Sequence, residues 1–290
     1  MPSLTKILLP VDFSERCVGA VRYAEVLAAR FGSEITLLHV LPPPHYEFSA
    51  LEVCGSVLNE LFAARSAQVR ADLDTYLAEE LRGLSVHRVL LEGDPARKIV
   101  AYAHDEGFQL IILPTHGYGP FRRFILGSVT AKVLHDADCP IWTGVHMENV
   151  PPAGSISLRT VVAALDLGEQ SAKPLHWGSW LASQCGARLV VVHATPSLEG
   201  RTGEYFDPEW RAHLAEQAGK EIDRLQQEAG ANAEVVVESG DAPMVVCSAA
   251  ARLNADVLVI GRGSAAGIFG RLRANAYAII RESPCPVASV

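Results

Sequence analysis

Residues suited to binding an anion are concentrated between positions 110 and 130, which read LIILPTHGYGPFRRFILGSVT. The apolar run that ends at Pro114 is typical of a strand buried on both faces of a parallel sheet. Two glycines, which let a ligand approach the backbone closely, and two arginines follow it: Gly117, Gly119, Arg122 and Arg123. A helical pattern then begins at 127–130, and the start of a helix offers unpaired N–H groups and roughly half a positive charge. The stretch therefore predicts an anion site, most simply for phosphate, and the alternative is an ordinary β-to-α connection with solvated arginines.

The spacing of this stretch excludes several common sites. No Gly-Lys-Ser or Gly-Lys-Thr follows the glycines, so it is not a Walker A loop, and it does not contain the dinucleotide pattern G-x-G-x-x-G. The six cysteines and ten histidines include no C-x-x-C and no H-E-x-x-H. We therefore predict no metal site, and we interpret the cysteines as reduced thiols.

The elements that must position this loop alternate between strand and helix. Apolar runs predict strands at 6–11, 34–41, 86–91, 110–113 and 140–145, and amphipathic patterns predict helices at about 14–32, 57–82, 94–106 and from 127. Ser14 and Asp94 are the predicted N-caps of the first and third helices. Such alternation is typical of a parallel α/β sheet flanked by helices, which binds ligands beyond the carboxyl ends of its strands. Asp12, Val40 and the loop after Leu113 all lie at carboxyl ends, so they are expected to share one site.

The same pattern begins again in the second half of the chain. VVAALD corresponds to ILLPVD, VVVHA to TLLHV, SGDAP to EGDP, and CPV to CPI. We interpret this as a tandem duplication, with domains at 1–147 and 156–290 joined by a Pro/Gly/Ser-rich linker at 148–155.

The second copy lacks part of the chemistry of the first. Aligning the repeats places Ser264, Ala274 and Asn275 at the positions of Gly117, Gly127 and Ser128, and Gly261 at the position of Pro114. Asp166 keeps the place of Asp12. Because a close-approach glycine is lost, we expect the second site to be weak or absent.

Size and charge exclude other classes of function. At 290 residues with 49% hydrophobic and 20% charged residues, the chain has the composition of a globular protein of about two domains. Its net charge of −8 argues against a nucleic-acid partner. No apolar run approaches the roughly 18 residues of a membrane span, and no signal peptide precedes the first strand. We therefore expect a cytoplasmic protein with no membrane partner.

Both halves resemble the universal stress protein family. The resemblance rests on ILLPVDFS, LLHV, GDP, the glycine loop with GSVT, and CPI near the end of the repeat. The loop follows the family's G-x-x-G, nine residues, G-S/T spacing, except that Pro114 stands where the first glycine usually lies. The resemblance implies a five-stranded parallel sheet with flanking helices in each repeat, and binding of ATP or AMP with or without Mg²⁺. It also implies a pseudo-dimer of the two domains, and it leaves a homodimer of chains open.

The resemblance further implies roles for particular residues. Asp12 would contact the adenosine, with a helix cap as its alternative role, and backbone at Pro10, Val11 and Val40 would frame the adenine. Gly117, Gly127, Ser128, Val129 and Thr130 would hold the phosphates. The other candidate nucleotide-binding residues of this loop, named for their position and chemistry, are Pro114, His116, Arg122 and Arg123. In the second domain the corresponding set is Asp166, Ala194, Gly261, Ser264 and Asn275. His39 and His193 occupy equivalent positions beside buried strand residues, and we interpret both as hydrogen-bonded structural histidines.

Three functions are open at this point. The first is a regulatory stress-response module that holds an adenine nucleotide in its first domain. The second is a slow ATPase or autokinase using the same pocket, in which Arg122, Arg123, Ser128 and Thr130 would supply part of the machinery, although no candidate base is evident. The third is a scaffold that binds no nucleotide, which the proline at 114 and the altered second loop keep open.

Overall fold

The computed structural model describes residues 3–43, 55–115, 126–144, 150–196, 208–262 and 274–290. The chain forms two compact units, made largely of residues 3–141 and of residues 157–290. Five predicted site residues lie outside the described residues: His116, Gly117, Arg122, Arg123 and Ser264.

The first repeat is a parallel sheet flanked by helices. Its strands are β1 Lys6–Pro10, β2 Glu34–Leu41, β3 Val86–Glu92, β4 Leu110–Ile112 and β5 Ile141–Thr143. Its helices are α1 Arg16–Phe31, α2 Gly55–Thr75, α3 Pro95–Asp105 and α4 Ser128–Asp136. The strand order is β3-β2-β1-β4-β5, and β1 pairs in parallel with both β2 and β4. The predicted α/β fold class is confirmed.

The second repeat has the same architecture. Its strands are β6 Thr160–Ala164, β7 Arg188–Thr195, β8 Glu234–Ser239, β9 Val257–Ile260 and β10 Val287–Ser289. Its helices are α5 Ala172–Cys185, α6 Pro208–Ala229, α7 Ala242–Arg252 and α8 Ala274–Glu282. Parallel pairing places β6 between β7 and β9, as β1 lies between β2 and β4. The duplication seen in the sequence is therefore also present in the topology.

The central strands form because their side chains are apolar on both faces. Every residue from Ile7 to Pro10 and from Leu110 to Ile112 is buried, as expected for strands covered by helices on both sides. Gly32 and Gly186 end α1 and α5 in the left-handed conformation, with φ of 68° and 63°. Asp94 caps α3 by accepting a hydrogen bond from the Arg97 amide at 2.8 Å. The sequence predicted this cap and the helix stop at Gly32.

Two predicted helix boundaries are wrong. Ser14 is not the N-cap of α1, because that position is held by Glu15, and no side chain there makes a capping hydrogen bond. The second helix ends at Thr75 and not near 82. Arg88 of β3 donates to the carbonyls of Leu73 and Tyr76 at 2.9 and 3.1 Å, which satisfies groups at the end of this helix.

The buried residues of the last helix in each repeat correct one alignment of the two halves. In α4 they are Thr130, Val133 and Leu134, and in α8 they are Ala276, Ile279 and Ile280, each 146 positions later. The alignment that placed Asn275 at the position of Ser128 is therefore wrong, because the spacing changes ahead of this helix and not within it. Ser128 corresponds to Ala274, and Asn275 corresponds to Val129.

Part of the predicted linker has defined contacts with the first repeat. Ala153–Ser155 forms a 3₁₀ turn. Val150 is 4% exposed, and its carbonyl accepts a hydrogen bond from the Arg22 guanidinium of α1. This stretch is therefore not a freely exposed connection, and the domain bounds stay a prediction.

Candidate functional site

The site begins with a tight turn directly after β1, built around the Asp12 carboxylate. Its Oδ1 accepts hydrogen bonds from the Ser14 amide at 3.0 Å and from the Cys17 thiol at 3.2 Å. Phe13, between them, has a φ of 62°, a left-handed conformation that costs a non-glycine residue energy. Asp12 is half-buried, so its carboxylate is fixed by the turn and still reaches the surface.

Backbone beside Asp12 is held by the neighbouring strand. The Val11 amide donates to the Leu38 carbonyl at 2.9 Å, and the Val11 carbonyl lies 2.8 Å from His39 Nδ1. Since a carbonyl only accepts, His39 Nδ1 carries the proton of this bond. Burial is the main influence on His39 and lowers its pKa, which favours the neutral ring. The expected hydrogen bond of His39 is thus present in the structure.

The Phe13 ring of the turn contacts two other rings, one in strand β2 and one just after α2. The Phe13 ring lies 4.7 Å from His39 and 4.9 Å from Tyr76, measured between ring centroids. The Tyr76 hydroxyl donates to the Ser14 carbonyl at 3.1 Å, and burial raises the pKa of Tyr76. Residues on both sides of Asp12 are thus tied to other parts of the repeat, which keeps the carboxylate in place before any ligand binds.

The second part of the site follows β4, where α4 begins. Gly127 is the N-cap of α4, with a φ of −60° and a ψ of 145°, and has no side chain to cap the helix. Its amide donates to the Thr115 carbonyl at 2.8 Å. Ser128 is exposed and Val129 is partly exposed, so the first turn of the helix is accessible to a ligand. A helix N-terminus of this kind attracts anions through its amides and dipole.

Thr130 has a different environment from its neighbours. Its side chain is 4% exposed, and its hydroxyl donates to the Pro114 carbonyl at 3.0 Å. Pro114 is itself buried. The Thr130 hydroxyl therefore joins α4 to the end of β4, so Thr130 would reach a ligand through its backbone.

The sheet order brings these parts to one edge. Asp12 follows β1, Val40 lies near the end of β2, and α4 begins beyond β4, with β1 between the other two strands. The chain leaves β1 toward β2 on one side, while β4 pairs with β1 on the other. Such a reversal of strand order is where parallel α/β sheets bind ligands. The side chains of Pro10 and Val40 are buried, so these residues would contribute backbone groups.

The second repeat reproduces the aspartate turn. Asp166 Oδ1 accepts from the Gly168 amide at 3.0 Å and from the Ser171 hydroxyl at 2.8 Å. Leu167 has a φ of 55°. His193 Nδ1 lies 2.8 Å from the Leu165 carbonyl, so the expected hydrogen bond of His193 is also present.

The start of α8 differs from the start of α4. Ala274 and Ala276 stand where the first repeat has Ser128 and Thr130, so neither hydroxyl is present. Asn275 is exposed, Gly261 is partly exposed beyond β9, and Ala194 is partly exposed in β7. The two repeats thus share the aspartate side of the candidate site and differ on the helix side.

Cys17 was not identified from the sequence as a site residue. The sequence does contain a pattern that could have indicated its role. Cys17 and Ser171 both lie five residues after the corresponding aspartate, and both carry a hydrogen-bond donor. Tyr76 had no such pattern, because its contact with the turn depends on how α2 packs.

Among the described residues, no group of three or more His, Cys, Asp or Glu could hold a metal ion. No helix in the described part of the chain is long and apolar enough to cross a bilayer.

The fold and this edge of the sheet define a duplicated parallel α/β protein with a candidate ligand site beyond its first strand. The profile of the universal stress protein family matches residues 3–143 and 157–290. The chain therefore belongs to the universal stress protein family.

Individual relatives agree with this assignment. A universal stress protein of Methanocaldococcus jannaschii is 29% identical over 136 residues, covering 47% of this chain and 79% of the relative. One of Mycolicibacterium smegmatis is 29% identical over 222 residues, covering 72% of this chain and 72% of the relative. The crystal structure of a universal stress protein from Archaeoglobus fulgidus covers 98% of this chain and 97% of its own, with a TM-score of 0.68 and 22% identity. That structure supports the fold over both repeats.

Proposed function

We propose that the first repeat binds an adenine nucleotide, ATP or AMP, at the carboxyl edge of its sheet. The observation that carries the proposal is the placement of a fixed carboxylate and an accessible helix N-terminus beyond two paired strands, β1 and β4. A nucleotide carries hydroxyls at one end and anionic phosphates at the other. A carboxylate accepts hydrogen bonds from hydroxyls, whereas a helix N-terminus attracts phosphate.

The geometry supports a direction for the bound nucleotide. The Asp12 carboxylate receives the ribose hydroxyls, and backbone at Pro10, Val11 and Val40 borders the base. The amides from Gly127 to Thr130 receive the phosphates. His116, Gly117, Arg122 and Arg123 are also part of this proposal, Gly117 through the family resemblance and the other three through their chemistry in the loop after β4. We propose that ATP can bind together with Mg²⁺.

The second repeat is proposed as a weaker site or none. Asp166 supports binding at the ribose end, where its turn has the same hydrogen bonds as that of Asp12. The loss of both helix hydroxyls argues against a phosphate site of equal strength. Ala194, Gly261, Ser264 and Asn275 remain the residues that such a site would use.

Regulation in a stress response is the role that family membership favours for such a binding module. A cytoplasmic location, a pseudo-dimer of the two domains and a homodimer of chains belong to the same proposal. Slow ATP hydrolysis and autophosphorylation stay alternatives, and no observation among the described residues favours them over binding alone.

The proposal is tested by measuring ATP and AMP binding to ligand-free protein by calorimetry, with Mg²⁺ present and absent. Gly127→Val is the informative variant, because a φ of −60° and a ψ of 145° suit valine, so the backbone can stay unchanged. The branched side chain would occupy space beside the helix N-terminus, and we expect affinity for ATP to fall more than tenfold. Gly127→Ser, which can cap α4 and is much smaller, is the matched control.

The outcomes separate the alternatives. Wild-type protein that binds neither nucleotide overturns the proposal and favours the scaffold. Equal affinity in wild type and Gly127→Val means that the phosphates do not lie at α4. Phosphate release above a protein-free blank, if Ser128→Ala alters it, establishes the ATPase alternative.

A further inference from the structure

The side chain of Cys17 lies against the candidate ligand carboxylate from inside the protein. It is 1% exposed, and its Sγ is 3.2 Å from Asp12 Oδ1. The same oxygen accepts the Ser14 amide at 3.0 Å. One carboxylate oxygen therefore receives two donors from the protein, and together they set the orientation of the carboxylate plane.

The second repeat contains the same arrangement with a different donor. Ser171 is 2% exposed, and its hydroxyl donates to Asp166 Oδ1 at 2.8 Å. Gly168 supplies the amide at 3.0 Å. Cysteine and serine share little except a small side chain with one proton to donate. Their use at equivalent positions indicates that the donor itself is what each turn requires.

The protonation of Cys17 agrees with a donor role. Burial, followed by the negative charge of Asp12, raises the pKa of the Cys17 thiol to about 12. The thiol therefore keeps its proton at neutral pH, and the Asp12 carboxylate is its acceptor. The same burial makes this cysteine a poor nucleophile, which argues against a reactive role.

We propose that Cys17 is a positioning residue that orients the Asp12 carboxylate toward the ribose hydroxyls of the bound nucleotide. This inference rests on the proposed function of the first repeat. Loss of the thiol removes one donor from Asp12 Oδ1 and makes the orientation of the carboxylate less well defined, while the Ser14 amide still contacts it. The direction of its second oxygen would then vary, and recognition of the hydroxyls would weaken before the turn itself is lost.

The test compares a ribonucleotide with one that lacks its ribose hydroxyls. AMP and 2′,3′-dideoxy-AMP are titrated into wild type, Cys17→Ala, Cys17→Ser and Asp12→Asn. We expect Cys17→Ala to bind AMP about threefold to tenfold more weakly, with affinity for the dideoxy compound unchanged. Cys17→Ser should restore the preference for AMP, because serine performs this role in the second repeat. Asp12→Asn gives the preference for AMP over dideoxy-AMP that remains when the carboxylate is absent.

A matched control separates positioning from a general effect of losing a buried thiol. Cys285 is 5% exposed and lies in the second repeat. Cys285→Ala should leave both affinities of the first repeat at their wild-type values. An equal loss of AMP and dideoxy-AMP binding in Cys17→Ala would assign Cys17 a merely structural role and overturn the inference. Unchanged binding of both compounds would also overturn it.

A spectroscopic measurement keeps the inference testable if Cys17→Ala does not fold. The S–H stretching band lies in a spectral window free of other protein bands, and its frequency falls when the thiol donates a hydrogen bond. We expect the Cys17 band, identified by its absence in Cys17→Ser, to move to higher frequency in Asp12→Asn. A band that does not move overturns the inference. Failure of wild type to bind AMP instead overturns the proposed function, so the two failures are distinguishable.

Discussion

At the scale of single residues, the aspartate turn combines backbone strain with compensating contacts. Phe13 and Leu167 both have left-handed backbones, with φ of 62° and 55°, directly after the two aspartates. A conformation of this kind costs a non-glycine residue on the order of 1 kcal/mol or more. In the first repeat, Phe13 lies between two rings that offset part of this cost. The strain therefore lies where the turn orients a carboxylate. The energetic cost of the left-handed backbone and the stabilisation from the ring contacts can be separated by mutation.

Two substitutions at Phe13 are expected to differ in a defined order. Phe13→Ala keeps the strain and loses the ring contacts, so we expect it to lower the free energy of unfolding by about 2–3 kcal/mol. Phe13→Gly also loses the ring but accepts the left-handed φ, so it should be about 1 kcal/mol more stable than Phe13→Ala. Urea unfolding of the three proteins measures this order. If Phe13→Gly is less stable than Phe13→Ala, the claim that the backbone at position 13 is strained would be contradicted.

His39 is expected to make the stability of the folded protein depend on pH. Burial is the main reason why the pKa of His39 in the folded protein is lower than its ordinary value of about 6.5. Between these two pH values, His39 binds more protons in the unfolded chain than in the folded protein. Stability should therefore fall as the pH decreases through this window. His39→Gln keeps an N–H donor for the Val11 carbonyl and cannot titrate, so its free energy of unfolding should depend less on pH. Chemical unfolding between pH 7.5 and 5 measures both profiles, and parallel profiles would contradict this prediction.

At the scale of elements, the sequence specified most of the sheet and less of the site. Strand β2 lies at Glu34–Leu41 as predicted, because an apolar run bounded by Gly32 and a proline cluster has no competing pattern. The end of α2 could not be predicted, since it depends on Arg88 reaching back from β3. The turn at Asp12 was located by the end of an apolar run. Its internal bonds depend on a left-handed Phe13, which no local preference indicates.

The alignment of α8 failed for a related reason. Length changes between repeats occur in loops, and the residues before this helix carry no repeated apolar pattern that would locate the change. Only the burial of Ala276, Ile279 and Ile280 fixed the correspondence with α4. That correction shows that the second repeat lacks both hydroxyls of the first helix turn.

The hydrogen bond from Thr130 to the Pro114 carbonyl attaches α4 to the end of β4 and predicts a selective effect on phosphate binding. Thr130→Val keeps the shape of the side chain and leaves a buried carbonyl without this donor. The first turn of α4 should shift, so we expect ATP to bind about tenfold more weakly while adenosine binding stays unchanged. Thr130→Ser should restore ATP binding. Calorimetry with both ligands tests this, and an equal loss of both would contradict a role in placing the phosphate end.

At the scale of the whole molecule, duplication has preserved one half of the site and altered the other. Both repeats keep the aspartate turn, the donor five residues later and the histidine on the second strand. The first turn of the last helix differs, because Ser128 and Thr130 of α4 correspond to Ala274 and Ala276 of α8. A shared framework with different helix starts is expected when the framework supports folding in both repeats and the ligand is held strongly in one.

This asymmetry predicts how many nucleotides the chain holds. Native mass spectrometry of wild type with ATP should show one nucleotide per chain, because we expect the second repeat, which has Ala274 and Ala276 at the positions of Ser128 and Thr130, to bind ATP more weakly. Asp12→Asn removes the negative acceptor at the ribose end and should lower ATP affinity by at least tenfold. Asp166→Asn is the matched change in the second repeat and should leave the stoichiometry at one. A wild-type value of two that Asp166→Asn reduces to one would contradict this prediction, and it would show that the second repeat binds ATP without hydroxyls at the positions of Ser128 and Thr130.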